Sequence, residues 1–146
     1  MLNGLRKFFF DTGYRAVFFI YTMQFLKIRN QTKLASLVGV ICKELTGVEI
    51  NLGVTVGKSL KIRHSHNIVL GGNSIIGDNV TIFNGVTLGV SGKLIIDNNM
   101  KLMQSSDYPT INNNCIIYTG AKILGEITIG ENTIIGANSV VLHSIP

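Results

Sequence analysis

The chain has 146 residues, 46% of them hydrophobic, a mean hydropathy of +0.36, a net charge of +5 and two cysteines, Cys42 and Cys115. That length suits one domain with a small appendage, and two cysteines in apolar contexts argue for a reducing cytoplasm over a disulfide framework. The basic residues are not interleaved with aromatic ones, which leaves no nucleic-acid platform; a basic surface suits an anionic cofactor or a weak contact with an anionic membrane.

The start, Met1 to Phe10, lacks a signal-peptide cleavage pattern. Arg6, Lys7 and Phe8-Phe9-Phe10 admit membrane-surface contact as a secondary reading. Asp11 and Thr12 cap a helix that begins near Gly13 and runs from Tyr14 to Ile28. Its apolar residues Ala16, Phe19, Ile20, Met23 and Leu26 recur at helical steps, and the run is too short for a membrane span. After a polar link, a second helix runs from about Lys33 to Leu45 and stops at Thr46-Gly47. Residues 1–46 therefore read as a helical segment and residues 47–146 as a second unit.

From Ile50 onward the chain is written in sixes. Ile50, Val56 and Ile62 open the first hexads; after two extra residues, assigned to Ile68 and Val69, the count restarts at Leu70, Ile76, Ile82 and Leu88. It resumes at Ile111, Ile117, Ile123, Ile129, Ile135 and Val141. A period of six is neither helical nor a simple alternating strand, and it predicts a parallel β-helix with three short sides per coil. Ile111 then stacks on Ile129, Ile117 on Ile135 and Ile123 on Val141, at about 4.8 Å per coil. The segment 90–108 breaks the pattern, and long insertions of this kind gather at the corners of such coils.

Several segments carry a resemblance. Gly47-Val48-Glu49-Ile50, the stretch His64 to Gly71, Val86-Thr87-Leu88-Gly89 with Gly92-Lys93, and Gly120-Ala121-Lys122-Ile123-Leu124-Gly125 are similar to segments of the serine acetyltransferases, of the hexapeptide acyltransferase superfamily. The similarity begins near Asp11 and covers most of the chain, without most of the family's helical N-terminal domain and its short C-terminal segment. It implies a mainly β protein, a left-handed parallel β-helix with two short N-terminal helices and one long inserted loop. It also implies homotrimers, acetyl-CoA as co-substrate, no metal, and sites between subunits.

Acetyl transfer from a thioester to a hydroxyl needs a general base, a group to orient it, and oxyanion donors. His64 stands where the family has its base; an imidazole ordinarily titrates near ~6.5, which suits the task. Glu49 stands where the family has the Asp that orients that histidine. His66, two residues beyond His64, falls at a nominally inward position; with no third ligand nearby in sequence it reads as structural or substrate-lining rather than metal-binding. His143 reads as a surface residue. The resemblance places CoA against Gly89, Val90, Ser91, Gly92, Thr119, Gly120 and Ala137, with Lys93 and Lys122 near its phosphates.

The acceptor side departs from the family. Arg63 replaces the Asp before the catalytic histidine, and Asp107-Tyr108 replaces an Arg-His pair before the Pro. With the amino-acid clamp altered, the sequence reads as an O-acetyltransferase of a sugar or surface-polysaccharide hydroxyl. Arg63, His66, Asp107 and Tyr108 then line the acceptor site, with Tyr108 stacking on a sugar ring and Arg63 holding an acidic group. A serine O-acetyltransferase of cysteine biosynthesis, a non-catalytic trimeric scaffold and an amino-sugar N-acetyltransferase are the alternatives.

Overall fold

The structure is a computed structural model that describes residues 6, 8–92, 95, 96, 102, 103 and 107–146. Helix α1 spans Thr12–Ile28 and helix α2 spans Thr32–Thr46. Both follow from the caps read in the sequence. Asp11 accepts a hydrogen bond from the Tyr14 backbone N–H at 3.0 Å, which satisfies one free donor of the first turn. Gly47 closes α2 at φ 71°, with its N–H bonded to the Lys43 carbonyl.

The rest is a parallel coil. Strands β1 (Val48–Ile50), β4 (Ile68–Leu70), β7 (Thr87–Gly89), β12 (Lys122–Leu124) and β15 (Val140–Val141) form the first wall. Strands β2 (Thr55–Val56), β5 (Ile75–Ile76), β10 (Thr110–Ile111) and β13 (Thr128–Ile129) form the second. Strands β3 (Lys61–Arg63), β6 (Thr81–Phe83), β11 (Ile116–Ile117) and β14 (Ile134–Ile135) form the third. Within the 90–108 insertion, β8 (Ile95–Ile96) pairs antiparallel with β9 (Leu102–Met103).

The expected stacking is present residue by residue: Ile111 on Ile129, Ile117 on Ile135 and Ile123 on Val141. One inward ladder runs Leu70–Leu88–Ile123, a second Val56–Ile76–Ile111–Ile129, a third Ile62–Ile82–Ile117–Ile135, all buried. The fifth-position residues Val54, Val80, Val86, Cys115 and Ala121 fill the corners and are buried too. Ala16 and Ile20 of α1 and Cys42 of α2 belong to the same hydrophobic cluster, so the helices close the first coil. The Tyr21 hydroxyl pins this contact: it donates to the Gly57 carbonyl at 2.8 Å and accepts from the Leu60 N–H at 3.1 Å.

One detail of the hexad count is corrected. The two extra residues are not Ile68 and Val69. Ile68 pairs with Val48 and is buried, and Val69 pairs with Glu49 and Thr87. The extra residues lie in the preceding corner, between Arg63 and Ile68. As a result Ser65 turns inward, whereas His66, expected inward, is exposed.

The corner between the second and third walls is held by a polar ladder. Asp78 accepts from the Lys58 N–H at 2.7 Å, Asn113 from the Asp78 N–H at 2.8 Å, and Asn113 donates to Glu131 at 3.0 Å. Beside it Asn79, Asn114 and Asn132 all take positive φ, a conformation Asn tolerates better than other side-chain residues, and bond in series.

Both cysteines are buried and unpaired. Burial raises each thiol above its ordinary range; for Cys42 a hydrogen bond with Thr46 acts in the opposite sense. A thiolate-selective reagent at neutral pH should therefore leave both thiols unmodified in the folded protein and label both after denaturation. Ile117→Ala, in the middle of the third ladder, should cost about 3 kcal/mol of stability, read from a chemical denaturation curve.

Candidate active site

The corners place the expected site residues on two edges of the first wall. The edge entered from the third wall carries, coil by coil, the Arg63–Asn67 corner, then Asn84-Gly85, Thr119-Gly120 and Ala137-Asn138. His64 is exposed on the first of these corners, as an outward base requires. Arg63 ends β3 and is exposed beside it. Thr119 donates to the Asn84 side-chain oxygen at 3.1 Å, and the Gly120 N–H bonds to the Asn84 carbonyl at 2.9 Å. The Asn138 N–H bonds to the Thr119 carbonyl at 2.8 Å, and Ala137 is exposed.

The opposite edge, between the first and second walls, carries Gly89, Val90, Ser91 and Gly92 where the insertion leaves the coil, and Asp107 and Tyr108 where it returns. Gly89 accepts from the Gly125 N–H at 2.9 Å, and the space beside the Gly92 Cα is open. Asp107 and Tyr108 are half-buried. Lys93 lies outside the described residues. The chain crosses the wall between these edges from Val86 through strand β7 to Gly89, roughly 10 Å at about 3.3 Å per residue. One chain thus separates the candidate base from half of the candidate ligand contacts by a whole wall.

Glu49 is exposed on the first rung of the same wall, and His64 stands on the corner that feeds the second rung. No hydrogen bond joins them among the described residues. Instead Glu49 Oε2 meets Lys43 Nζ at 2.7 Å, and the hydrogen bond and charge of Glu49 raise the lysine above its ordinary range. His66 lies over the end of α2, its carbonyl bonded to the Gly85 N–H at 3.0 Å. No group of three His, Cys, Asp or Glu side chains suited to a metal gathers among the described residues. His143 is exposed.

Two expectations about side-chain roles meet different surroundings. The Lys122 ammonium, expected near phosphates, donates to the Gly85 carbonyl and to Thr87 Oγ1 at 3.1 Å, and so ties its coil to the one below. The Tyr108 ring covers the Gly71-Gly72 corner. A Cβ built on Gly72, itself at φ 51°, would fall 1.8 Å from the ring carbon Cζ. The ring thus packs against the protein's own backbone, while Tyr108 keeps part of its surface exposed.

Sequence reasoning missed one feature of this region. Phe83 and Tyr118 stack at 4.9 Å between ring centroids, 28° apart in plane, beside the edge that carries His64. Arg63 pairs in register with Phe83 on the coil directly above. The signal was present: all three residues follow the inward aliphatic of the third wall, in Ile62-Arg63, Ile82-Phe83 and Ile117-Tyr118.

The comparisons agree with this fold and carry it further. Residues 108–143 match the family model for the bacterial transferase hexapeptide (six repeats). A serine acetyltransferase of Bacillus subtilis (strain 168) is 44% identical over 113 residues, which are 77% of this chain and 48% of that protein. The crystal structure of serine acetyltransferase from Vibrio cholerae O1 biovar El Tor N16961 superposes with a TM-score of 0.82 at 30% identity, over 94% of this chain and 50% of that one. That from Brucella abortus strain S19 in complex with coenzyme A gives 0.82 at 29% identity, over 94% and 51%. The chain spans about half the length of the relatives it matches.

These findings correct the expectation of a sugar or surface-polysaccharide acceptor. The relatives described above, matched in sequence and in structure, are serine acetyltransferases. Gly72→Ala should cost about 1–2 kcal/mol, because a side chain there meets both a positive φ and the Tyr108 ring. In the Tyr108→Ala background the cost should shrink, a coupling that a double-mutant cycle of denaturation curves measures. With its hexapeptide repeats wound into a left-handed parallel β-helix, the chain belongs to the hexapeptide-repeat acyltransferase superfamily.

Proposed function

We propose that this chain is the catalytic core of a serine O-acetyltransferase that uses acetyl-CoA, works as a homotrimer in the cytoplasm, and builds each site between two copies. The observation that carries the reading is the stack of corners that begins at exposed His64 and rises through Thr119-Gly120 to Ala137. A long, thin ligand laid along that edge meets a corner about every 4.8 Å and ends beside the imidazole. The separation of the Gly89–Gly92 edge from the His64 edge supports a site shared by two chains, since a cyclic arrangement brings unlike edges together. Two unpaired, buried thiols suit a reducing compartment.

In this reading His64 accepts the proton of the serine hydroxyl as its oxygen attacks the thioester carbonyl. The tetrahedral intermediate collapses, the carbon–sulfur bond breaks, and the imidazolium returns the proton to the departing thiolate. Glu49 turns from Lys43 to hold the far ring nitrogen and stabilise the imidazolium. Backbone N–H groups of the Gly89–Gly92 segment supply donors for the ligand and the developing oxyanion. Phe83 and Tyr118 form an apolar wall that limits water beside the thioester.

Release of free thiol from acetyl-CoA should depend on added serine. His64→Ala should lower kcat by about 10²- to 10⁴-fold, and Glu49→Gln by a smaller factor, with cooperative melting retained. A folded protein that releases no thiol with serine, or a His64→Ala variant as active as the wild type, would defeat the reading.

A further inference from the structure

The corner that holds His64 is longer than the others on its edge. Ile62 pairs with Ile82 and Leu70 with Leu88, so the lower coil fits two more residues between the same two rungs. Each higher corner has one residue in the left-handed region: Gly85, Gly120 and Asn138. Asn67 is their counterpart here, at φ 59°, but His64 is also left-handed, at φ 55°. A histidine persists in that conformation only where its surroundings hold it.

The holding groups are visible. Ser65, the next residue, is fully buried, and its Oγ donates to the Thr46 carbonyl at 2.7 Å. That carbonyl belongs to the last turn of α2, where carbonyls lack helical partners. Thr46 is itself fixed: its Oγ1 donates to the Cys42 carbonyl at 2.6 Å and accepts from the Val48 N–H at 3.3 Å. Gly47 lets the corner sit on the helix end, for a Cβ there would lie 3.2 Å from the His66 Cα. From above, the Gly85 N–H bonds to the His66 carbonyl at 3.0 Å.

We propose that Ser65 is a positioning residue for the base: its hydroxyl ties the extended corner to the end of α2 and so sets the direction in which His64 points. This rests on the reading of His64 as the general base. A buried hydroxyl is costly unless bonded, so an apolar residue would suit this inward position better if packing were its only task. Displacement of a catalytic group by about 1 Å is enough to lower turnover about a hundredfold.

The test compares Ser65→Ala and the volume-conserving Ser65→Cys with wild type, in the full chain. It measures kcat, KM for serine and acetyl-CoA, thermal melting, and the His64 ring resonances by NMR. The expected result is a kcat about ten- to a hundredfold lower, both KM values within about twofold, cooperative melting, and His64 resonances broadened or doubled. Either variant folded with wild-type kcat and unchanged His64 resonances overturns the proposal. So does a parallel loss of kcat, both KM values and melting cooperativity, which marks a structural residue alone. If wild type does not acetylate serine, the functional reading fails, while the His64 resonances of the two variants still decide the tether.

Discussion

Each interior rung of the coil hydrogen-bonds to the rungs above and below, and the whole molecule is arranged around keeping that ladder dry. The Gly77 N–H reaches the Ile111 carbonyl at 2.8 Å, and the Asn112 N–H reaches that of Ile129 at 2.9 Å. Because pairing is strictly parallel, each rung needs a connection that turns the chain about a third of the way round and returns it one spacing higher. Corners with a residue at positive φ help to provide this, Gly72, Asn79 and Gly85 in the second coil, and the aliphatic ladders inside make each turn worth its conformational cost. The two helices serve the same constraint at the start of the coil, where the first rung has no predecessor and α2 leads directly into β1.

Much of this was legible because the constraint repeats. An aliphatic residue every six positions is a statement about stacking, so the pairs Ile111 with Ile129 and Ile117 with Ile135 could be written down from the chain alone. The helix ends were equally plain, since Asp11 and Gly47 do the local work that their residue types suggest. What was not legible lies where the repeat is broken. The extra residues before β4 leave no mark on the aliphatic pattern that says which of them bulges, and so Ser65 and His66 exchanged sides. The contact of Tyr108 with Gly72 spans the insertion, where no period connects the two.

The candidate site shows the same division. The outward position of His64 followed from its place in the hexad, but its left-handed backbone and the support beneath it did not. Partners of charged side chains were the least readable. Lys122 and Glu49 both meet neighbours on other elements, Gly85 and Thr87 in one case and Lys43 in the other, which only the folded coil brings near. Spacing along a chain of hexads fixes the rung and the wall of a side chain, while the direction of a flexible terminal group depends on what stands beside it.

The stacked corners of the first wall also make the edge a ruler. Its divisions are set by backbone hydrogen bonding at about 4.8 Å and cannot be stretched or compressed by side-chain changes. A ligand lying along it is gauged in whole divisions, from the His64 corner through Asn84 and Thr119 to Ala137. Changing the reach of such a groove therefore requires adding or deleting an entire turn of the coil, whereas single substitutions alter only what is felt at one graduation.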